Sequence, residues 1–203
     1  MSIKLNNQGM SLLEVLVAMA IFSLIMLGVV AMLSFSFKAN KIIWEQLSTQ
    51  NEGRKIVQDF INELRSATYS SIGAYPLETV GDQEIIFYSN IDDDSLRERV
   101  RYFLTGSTLK KGVTKPTGIP LSYNTSTETI IEIVHDVYNT TTPIFYYYDQ
   151  NYGYTSSTPL SQPVAMTNVK MVSFILELEE DPTASPEPFH IETKTEIRNL
   201  KTN

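Results

Sequence analysis

The sequence contains no cysteine among its 203 residues. This absence excludes a disulfide framework, a thiolate metal site and a cysteine nucleophile. Histidine is also scarce: His135 and His190 lie 55 residues apart and outside any H-E-x-x-H frame. A G-x-S-x-G elbow, a Walker loop and a G-x-G-x-x-G loop are absent as well. We therefore predict that the chain is not an enzyme and that it uses no cofactor.

The sequence has fewer basic residues than acidic ones. The 16 basic residues are outnumbered by 23 acidic ones, which gives a net charge of −7. A nucleic-acid-binding face needs clustered lysine and arginine, so nucleic-acid binding is disfavoured. The acidic run 92–94 (Asp-Asp-Asp) lacks the glycine and the terminal glutamate of an EF-hand loop. A weak calcium loop is the alternative there, and we predict no metal ligand.

One long uncharged stretch lies near the N-terminus. From Val15 to Phe37 the chain runs for 23 residues without a charged side chain. Its only polar side chains are Ser23, Ser34 and Ser36. About 20 apolar residues suffice for a helix to cross a bilayer. The stretch therefore predicts one membrane-spanning helix that anchors the rest of the chain as a soluble domain.

A cleavable signal peptide and a plain signal anchor are the simpler interpretations of this stretch. Ala18-Met19-Ala20 has the small-residue spacing of a cleavage site. However, the apolar run continues from Ile21 to Phe37, where a mature soluble protein should begin. A plain anchor gains nothing from Glu14, since an acidic residue at mid-bilayer costs about 2.5–3.5 kcal/mol. Glu14 thus favours a helix that meets a positive charge on a partner.

The residues around Glu14 resemble a known processing signal. The segment Gly9-Met10-Ser11-Leu12-Leu13-Glu14-Val15, with the apolar run behind it, resembles the class III signal of type IV pilins and type II secretion pseudopilins. This resemblance implies that a membrane prepilin peptidase cuts between Gly9 and Met10 and methylates the new N-terminus at Met10. It also implies that Glu14 is kept and that the apolar segment becomes the assembly helix.

The match departs from the family at three points. Met10 stands where the family favours Phe, and Ser11 where it favours Thr. Residues 6–8 (Asn-Asn-Gln) replace the lysine or arginine that usually precedes the glycine. Many major pilins carry a C-terminal disulfide loop, which a chain without cysteine cannot form. The resemblance therefore implies a minor pilin or a pseudopilin, and segments 145–149 and 193–200 resemble the J-like or PilW-like group.

A physical role for Glu14 follows from the implied cleavage. Cutting after Gly9 would create a free amine at Met10, and Glu14 lies four residues on, about one helical turn. Opposite charges attract far more strongly in a low dielectric than in water, and either charge left unpaired there is costly. We hypothesise that Glu14 pairs with the Met10 amine of a neighbouring subunit and sets the stagger between subunits. The alternative is that Glu14 only reaches towards the lipid headgroups.

The helix is predicted to continue beyond the apolar run. Residues 38–67 contain no proline, and the apolar residues from Ile56 to Leu64 recur at steps of 1, 3, 1 and 3. This spacing places them on one side of a helix, as is typical of a helix that packs on a globular domain. Gly53 lies inside the segment and indicates a bend or a fraying point.

The remainder of the chain has the pattern of short strands and turns. We predict strands at residues 84–89, 97–104, 108–111, 144–148, 169–179 and 189–197, with loops at 69–80, 114–124 and 181–188. Residues 127–138 are β-branched but carry their apolar side chains at helical spacing, so we predict a short helix, with a strand as the alternative. The fold class is therefore α+β, a long N-terminal helix packed against a C-terminal antiparallel β-sheet.

These predictions divide the chain into a leader peptide (1–9), a transmembrane assembly helix (10–37), its amphipathic continuation (38–68) and a globular β-rich domain (69–203). The resemblance implies a structural minor pilin or pseudopilin subunit in the inner membrane, with an extracytoplasmic C-terminal domain, and then in a pilus or pseudopilus. Its implied partners are prepilin peptidase, other pilin or pseudopilin subunits, the assembly platform and membrane lipid. The alternative is an uncleaved, membrane-anchored binding domain with a ligand site in the tyrosine-rich segment 146–154.

Overall fold

The computed structural model describes residues 11–92, 94–139, 141–179 and 188–200. The chain divides into two compact units, residues 1–47 and 48–203. The longest element is one α-helix, α1, which runs from Leu12 to Arg65 over 54 residues. The described residues after α1 form ten β-strands and three short 3-10 helices. This architecture confirms the predicted α+β class.

The strands form two antiparallel sheets and a small hairpin. The strands are β1 (Leu77–Val80), β2 (Glu84–Ser89), β3 (Glu98–Thr105), β4 (Thr108–Thr114), β5 (Pro116–Thr117), β6 (Ser122–Tyr123), β7 (Thr129–Val134), β8 (Phe145–Tyr148), β9 (Met171–Leu178) and β10 (Phe189–Glu196). The larger sheet has the order β1-β2-β3-β4-β7 and the smaller sheet the order β10-β9-β8, while β5 and β6 form a two-stranded hairpin. Strands β3 and β4 form the predicted hairpin, with Gly106 at its turn in the left-handed region (φ 61°).

Phe60, near the C-terminal end of α1, packs between the two sheets. Its side chain is fully buried. The ring lies edge-on to Phe87 and Tyr102 of the larger sheet, with centroid distances of 6.4 and 5.1 Å. On the other side it contacts Phe145 and Phe174 of the smaller sheet at 5.6 and 4.6 Å. One helical residue therefore joins two sheets that share no strand.

The predicted amphipathic stripe of α1 is confirmed. Val57, Phe60 and Leu64 are buried at successive steps of three and four residues, as one face of a helix requires. Gly53 lies one turn earlier inside the continuous helix, so it is not a fraying point. A Cβ atom there would come within 2.4 Å of the Ile191 Cδ1 atom on β10. Glycine thus permits a close approach between this helix and strand β10.

A polar contact fastens α1 to the larger sheet beside this apolar stripe. The Tyr102 hydroxyl donates a hydrogen bond of 2.8 Å to Oε2 of Glu63. The Lys111 ammonium, from the neighbouring strand β4, forms an ion pair with Oε1 of the same carboxylate. The side chains of Glu63 and Lys111 are only 16% and 14% exposed, so the pair is largely shielded from water. Burial raises the pKa of the Tyr102 hydroxyl well above its usual range, and the Glu63 charge adds to this effect.

Three of the sequence-based element assignments are wrong. The predicted loop 114–124 contains the short strands β5 and β6, which pair with each other. Residues 127–138 hold strand β7 and not a helix, because their β-branched side chains suit an extended chain that pairs with β4. Ile130 and Ile131 are 49% and 51% exposed, since β7 is an edge strand whose first residues cover no core. The predicted loop 69–80 contains strand β1, which pairs with β2. Residues 181–187 of the predicted loop 181–188 lie outside the described residues.

Candidate assembly segment at the N-terminus

The two predicted processing residues, Gly9 and Met10, lie outside the described residues. Ser11 is the first described residue, and α1 begins immediately after it at Leu12. The predicted cleavage point therefore precedes the first helical residue of α1 by only two peptide bonds.

Ser11 and Glu14 form a reciprocal cap at the start of α1. The Glu14 backbone N–H donates to the Ser11 Oγ atom at 3.2 Å. The Ser11 backbone N–H in turn donates to Oε2 of Glu14 at 2.8 Å. This is the capping-box arrangement, which satisfies two backbone N–H groups that the helix leaves without an intrahelical partner. The negative charge of Glu14 also lies in the first turn, where the helix dipole favours it.

The cap is a function of Glu14 that our sequence analysis missed. The pattern Ser-x-x-Glu directly before an apolar run is itself a recognisable helix-start signal. The structure thus gives Glu14 a local role within its own chain. A carboxylate has two oxygens that can each accept several hydrogen bonds, so the cap leaves capacity for a further partner. Glu14 is exposed in the single chain, as such a partner would require.

The part of α1 from Leu12 to Trp44, 33 residues, is long and apolar enough to cross a membrane, and its most apolar window has no buried residue. Two hydroxyls within it are bonded to the helix itself: Ser23 donates to the Met19 carbonyl at 2.9 Å, and Ser34 to the Val30 carbonyl at 2.8 Å. Internal bonding of this kind lowers the cost of placing a hydroxyl in an apolar surrounding.

Two tyrosines of the tyrosine-rich segment 146–154, Tyr147 and Tyr148, are buried. Tyr147 is buried, and its hydroxyl donates to the Gly81 carbonyl at 2.7 Å. Tyr148 is 6% exposed and packs on Tyr152, with ring centroids 4.2 Å apart. Only Tyr154, at 90% exposure, is strongly exposed among these tyrosines. This arrangement agrees with a structural role in a half-buried sheet more than with an aromatic ligand site.

The two histidines lie apart on the surface. The His135 side chain is 62% exposed and lies 3.9 Å from Glu132, while that of His190 is 53% exposed and lies 3.8 Å from Glu177. Each histidine thus lies beside one carboxylate on the surface.

Residues 4–30 match the family model of the prokaryotic N-terminal methylation motif. This match agrees with the resemblance of the N-terminal segment to the signal of type IV pilins and pseudopilins. No match was found among curated protein sequences. Among solved structures, the chain is similar to a chain in the crystal structure of the GspK-GspI-GspJ complex from the type 2 secretion system of enterotoxigenic Escherichia coli. The TM-score is 0.43 and the identity 11%, over 74% of this chain and 97% of that chain.

Proposed function

We propose that the chain is a structural minor pilin or pseudopilin subunit, which prepilin peptidase cleaves between Gly9 and Met10 and methylates at Met10. The observation that carries this proposal is the methylation motif at residues 4–30, which leads directly into the apolar helix segment Leu12–Trp44. The leader is then residues 1–9, the assembly helix 10–37, its amphipathic continuation 38–68 and the globular domain 69–203. Its partners are the peptidase, other pilin or pseudopilin subunits, the assembly platform and membrane lipid.

The exposure of the apolar helix supports an assembling subunit. Side chains such as Leu12, Met19 and Phe35 are 83%, 68% and 75% exposed. A helix that is apolar all round is stable only inside lipid or inside a larger protein core. The inner membrane supplies the first surrounding and a bundle of identical or related helices supplies the second. A subunit that passes from the membrane into a filament needs a helix suited to both surroundings, and a segment that is apolar all round suits both.

In this proposal Glu14 acts twice. Its carboxylate caps its own helix through Ser11, and its charge pairs with the methylated amine of Met10 on a neighbouring subunit. The two roles can be separated because a glutamine at the third helical position also completes a capping box. Glu14→Gln therefore keeps the cap and loses the charge, whereas Ser11→Ala loses half of the cap and keeps the charge.

Mass spectrometry of the mature N-terminus tests the processing step. Protein isolated from cells that contain the peptidase should begin at methylated Met10, and protein from cells without the peptidase should begin at Met1. An intact Met1 in both, or a start near Ile21, would overturn the proposal and leave an anchored or secreted binding domain.

Incorporation of variants into sheared filaments, measured with wild-type chain as competitor, tests the role of Glu14. Both Glu14→Ala and Glu14→Gln should incorporate much less than wild type, because both lack the charge. Ser11→Ala should incorporate almost normally, because an N-terminal cap is worth only about 1 kcal/mol. Normal incorporation of Glu14→Gln would show that the cap, and not the charge pair, is what Glu14 supplies.

A further inference from the structure

The larger sheet has an exposed edge at strand β7. The first four residues of β7, 129–132, are all exposed. Ile130 and Ile131 are 49% and 51% exposed and lie on opposite faces of the strand, because successive side chains alternate. Among the described residues, β7 pairs only with β4, so the N–H and C=O groups on its outer side have no backbone partner there. A row of such groups between apolar side chains is a template for another β-strand.

The other edges of the two sheets are covered or charged. Strand β1, at the opposite edge of the larger sheet, accepts a hydrogen bond of 3.2 Å at its Val80 carbonyl from the Gln162 side chain. On β8, the Tyr147 carbonyl accepts a hydrogen bond of 2.8 Å from the Leu160 backbone N–H. Strand β10 has a charged or titratable side chain at every second position of residues 190–196. A covering segment and a row of charges each keep an edge strand from pairing with another chain, and in the described part of the chain the apolar stretch of β7 has neither.

A β-bulge marks where the regular part of this edge ends. The pairing of β7 with β4 is regular from Thr129 to Glu132, which lies opposite Lys110. The register then shifts, because Val134 and not Ile133 lies opposite the next residue of β4. An extra residue of this kind bends a strand and interrupts its pairing. The regular open edge is therefore the exposed segment 129–132, with the two isoleucines at its centre.

We propose that two copies of this chain pair through β7, antiparallel around a two-fold axis, with Ile131 of one copy opposite Ile131 of the other. The open groups of β7 are backbone N–H and C=O groups, and an extended polypeptide segment is the partner that satisfies both. Strand β7 of a second copy is such a segment, and it presents the same open edge. Each copy therefore satisfies the other, as in an isologous interface, and the two larger sheets become one continuous sheet.

Charge indicates which residue lies on the two-fold axis. Residues directly opposite each other in an antiparallel pair share a face, and like charges in such positions destabilise the pair. An axis beside Glu132 would set two carboxylates against each other. An axis beside Ile130 would set Glu132 opposite Glu128 of the second copy. An axis beside Ile131 avoids both arrangements, because it sets Glu132 opposite Ile130 of the second copy and brings the isoleucines of both copies into the contact.

The charged side chains beside the two isoleucines are paired within the chain itself. The Glu132 carboxylate forms an ion pair of 2.9 Å with Lys110, which lies opposite it on β4. Ile131 lies opposite Lys111, whose ammonium is bound to the Glu63 carboxylate on α1. Each of these pairs carries no net charge. The approach of a second β7 strand therefore meets apolar side chains and balanced ion pairs.

Single cysteines test this register without background, because the chain has no cysteine of its own. In Ile131→Cys the two Cβ atoms should lie about 5 Å apart across the axis, close enough for copper-phenanthroline oxidation to join them in a disulfide. Thr129→Cys is the matched control, exposed on the same face of β7. Its two cysteines would lie about 14 Å apart, four residues along the strand, which is too far for a disulfide. In detergent micelles, the full chain with Ile131→Cys should give about tenfold more covalent dimer than Thr129→Cys. Equal yields, or no dimer from Ile131→Cys, would overturn the proposal.

Sedimentation equilibrium of the full chain in detergent micelles measures the pairing without a cross-link. Ile131→Arg sets two positive charges against each other on the axis and should weaken self-association by about tenfold. Ile72→Arg, the same substitution at an isoleucine that is 52% exposed outside β7, should associate as wild type does. Self-association that Ile131→Arg does not weaken, or a wild-type chain that stays monomeric up to about 1 mM, would overturn the proposal. Because β7 lies in the unit 48–203 and the pairing does not depend on cleavage after Gly9, either result would leave the proposed function unaffected.

Discussion

Replacement of Phe60 by alanine should weaken the globular unit more than other single substitutions on α1. Phe60 is fully buried and contacts four aromatic rings, two on each sheet. Phenylalanine-to-alanine changes in cores cost about 3–5 kcal/mol. Loss of aromatic pairs worth about 0.5–1.5 kcal/mol each places Phe60→Ala near the upper end of that range. Because whole domains are stable by only about 5–15 kcal/mol, this loss is a large share of the total.

Urea unfolding of the full chain in detergent micelles, followed by near-ultraviolet circular dichroism of the tyrosines, measures this cost. The two sheets share no strand, so the loss of Phe60 should also reduce the cooperativity with which they unfold. Tyr154→Ala is the control, since an exposed side chain should contribute less than about 0.5 kcal/mol. A cost below about 1 kcal/mol for Phe60→Ala would refute the argument that this residue joins the sheets.

Three further predictions concern the same unit. Glu63→Ala should cost about 3 kcal/mol in urea unfolding, because it leaves the shielded Lys111 ammonium and the Tyr102 hydroxyl without their partner. In unfolding free energy, Gly53→Ala should be more favourable by about 1 kcal/mol in an Ile191→Val background than in wild type. A Cβ atom at residue 53 would lie 2.4 Å from the Ile191 Cδ1 atom, and valine lacks that atom. Equal effects in both backgrounds would contradict this reasoning. Stability should fall as the pH rises above about 10, the ordinary pKa of tyrosine, because burial raises the pKa of Tyr102 and the folded state therefore opposes ionisation. Tyr102→Phe should reduce that alkaline loss in unfolding free energies measured between about pH 8 and 12.

The sequence predicted an element most reliably where the spacing of its apolar residues matches the burial of their side chains. Strand β2 was predicted with the bounds that the structure shows, Glu84–Ser89, and all but its first residue are buried. The prediction failed for residues 127–138, where Ile130, Ile131 and Val134 mimic helical spacing. Two of these side chains are half exposed on an edge strand, so their spacing reports no buried helix face. Pairing with β4, a partner distant in sequence, decided the conformation.

At the candidate site, too, some features could be predicted from the local sequence and others could not. The spacing of Gly9, Met10 and Glu14 predicted a methylation motif, and the family match over residues 4–30 confirms that motif. The cap between Ser11 and Glu14 was also readable from the sequence, because its two members lie within one helical turn. The burial of Tyr147 and Tyr148 was not readable, since it depends on how the strands pack in the folded domain.

The sequence by itself determined the motif, the apolar helix and its amphipathic continuation. Each of these depends on side chains within a turn or two of one another, whose interactions follow from helical geometry alone. Only the tertiary structure decided that Phe60 joins two sheets, that Gly53 admits strand β10, and that β7 lies at an exposed edge of the larger sheet. These contacts depend on strand order and on which face of each strand is buried, and such features arise from the packing of distant segments.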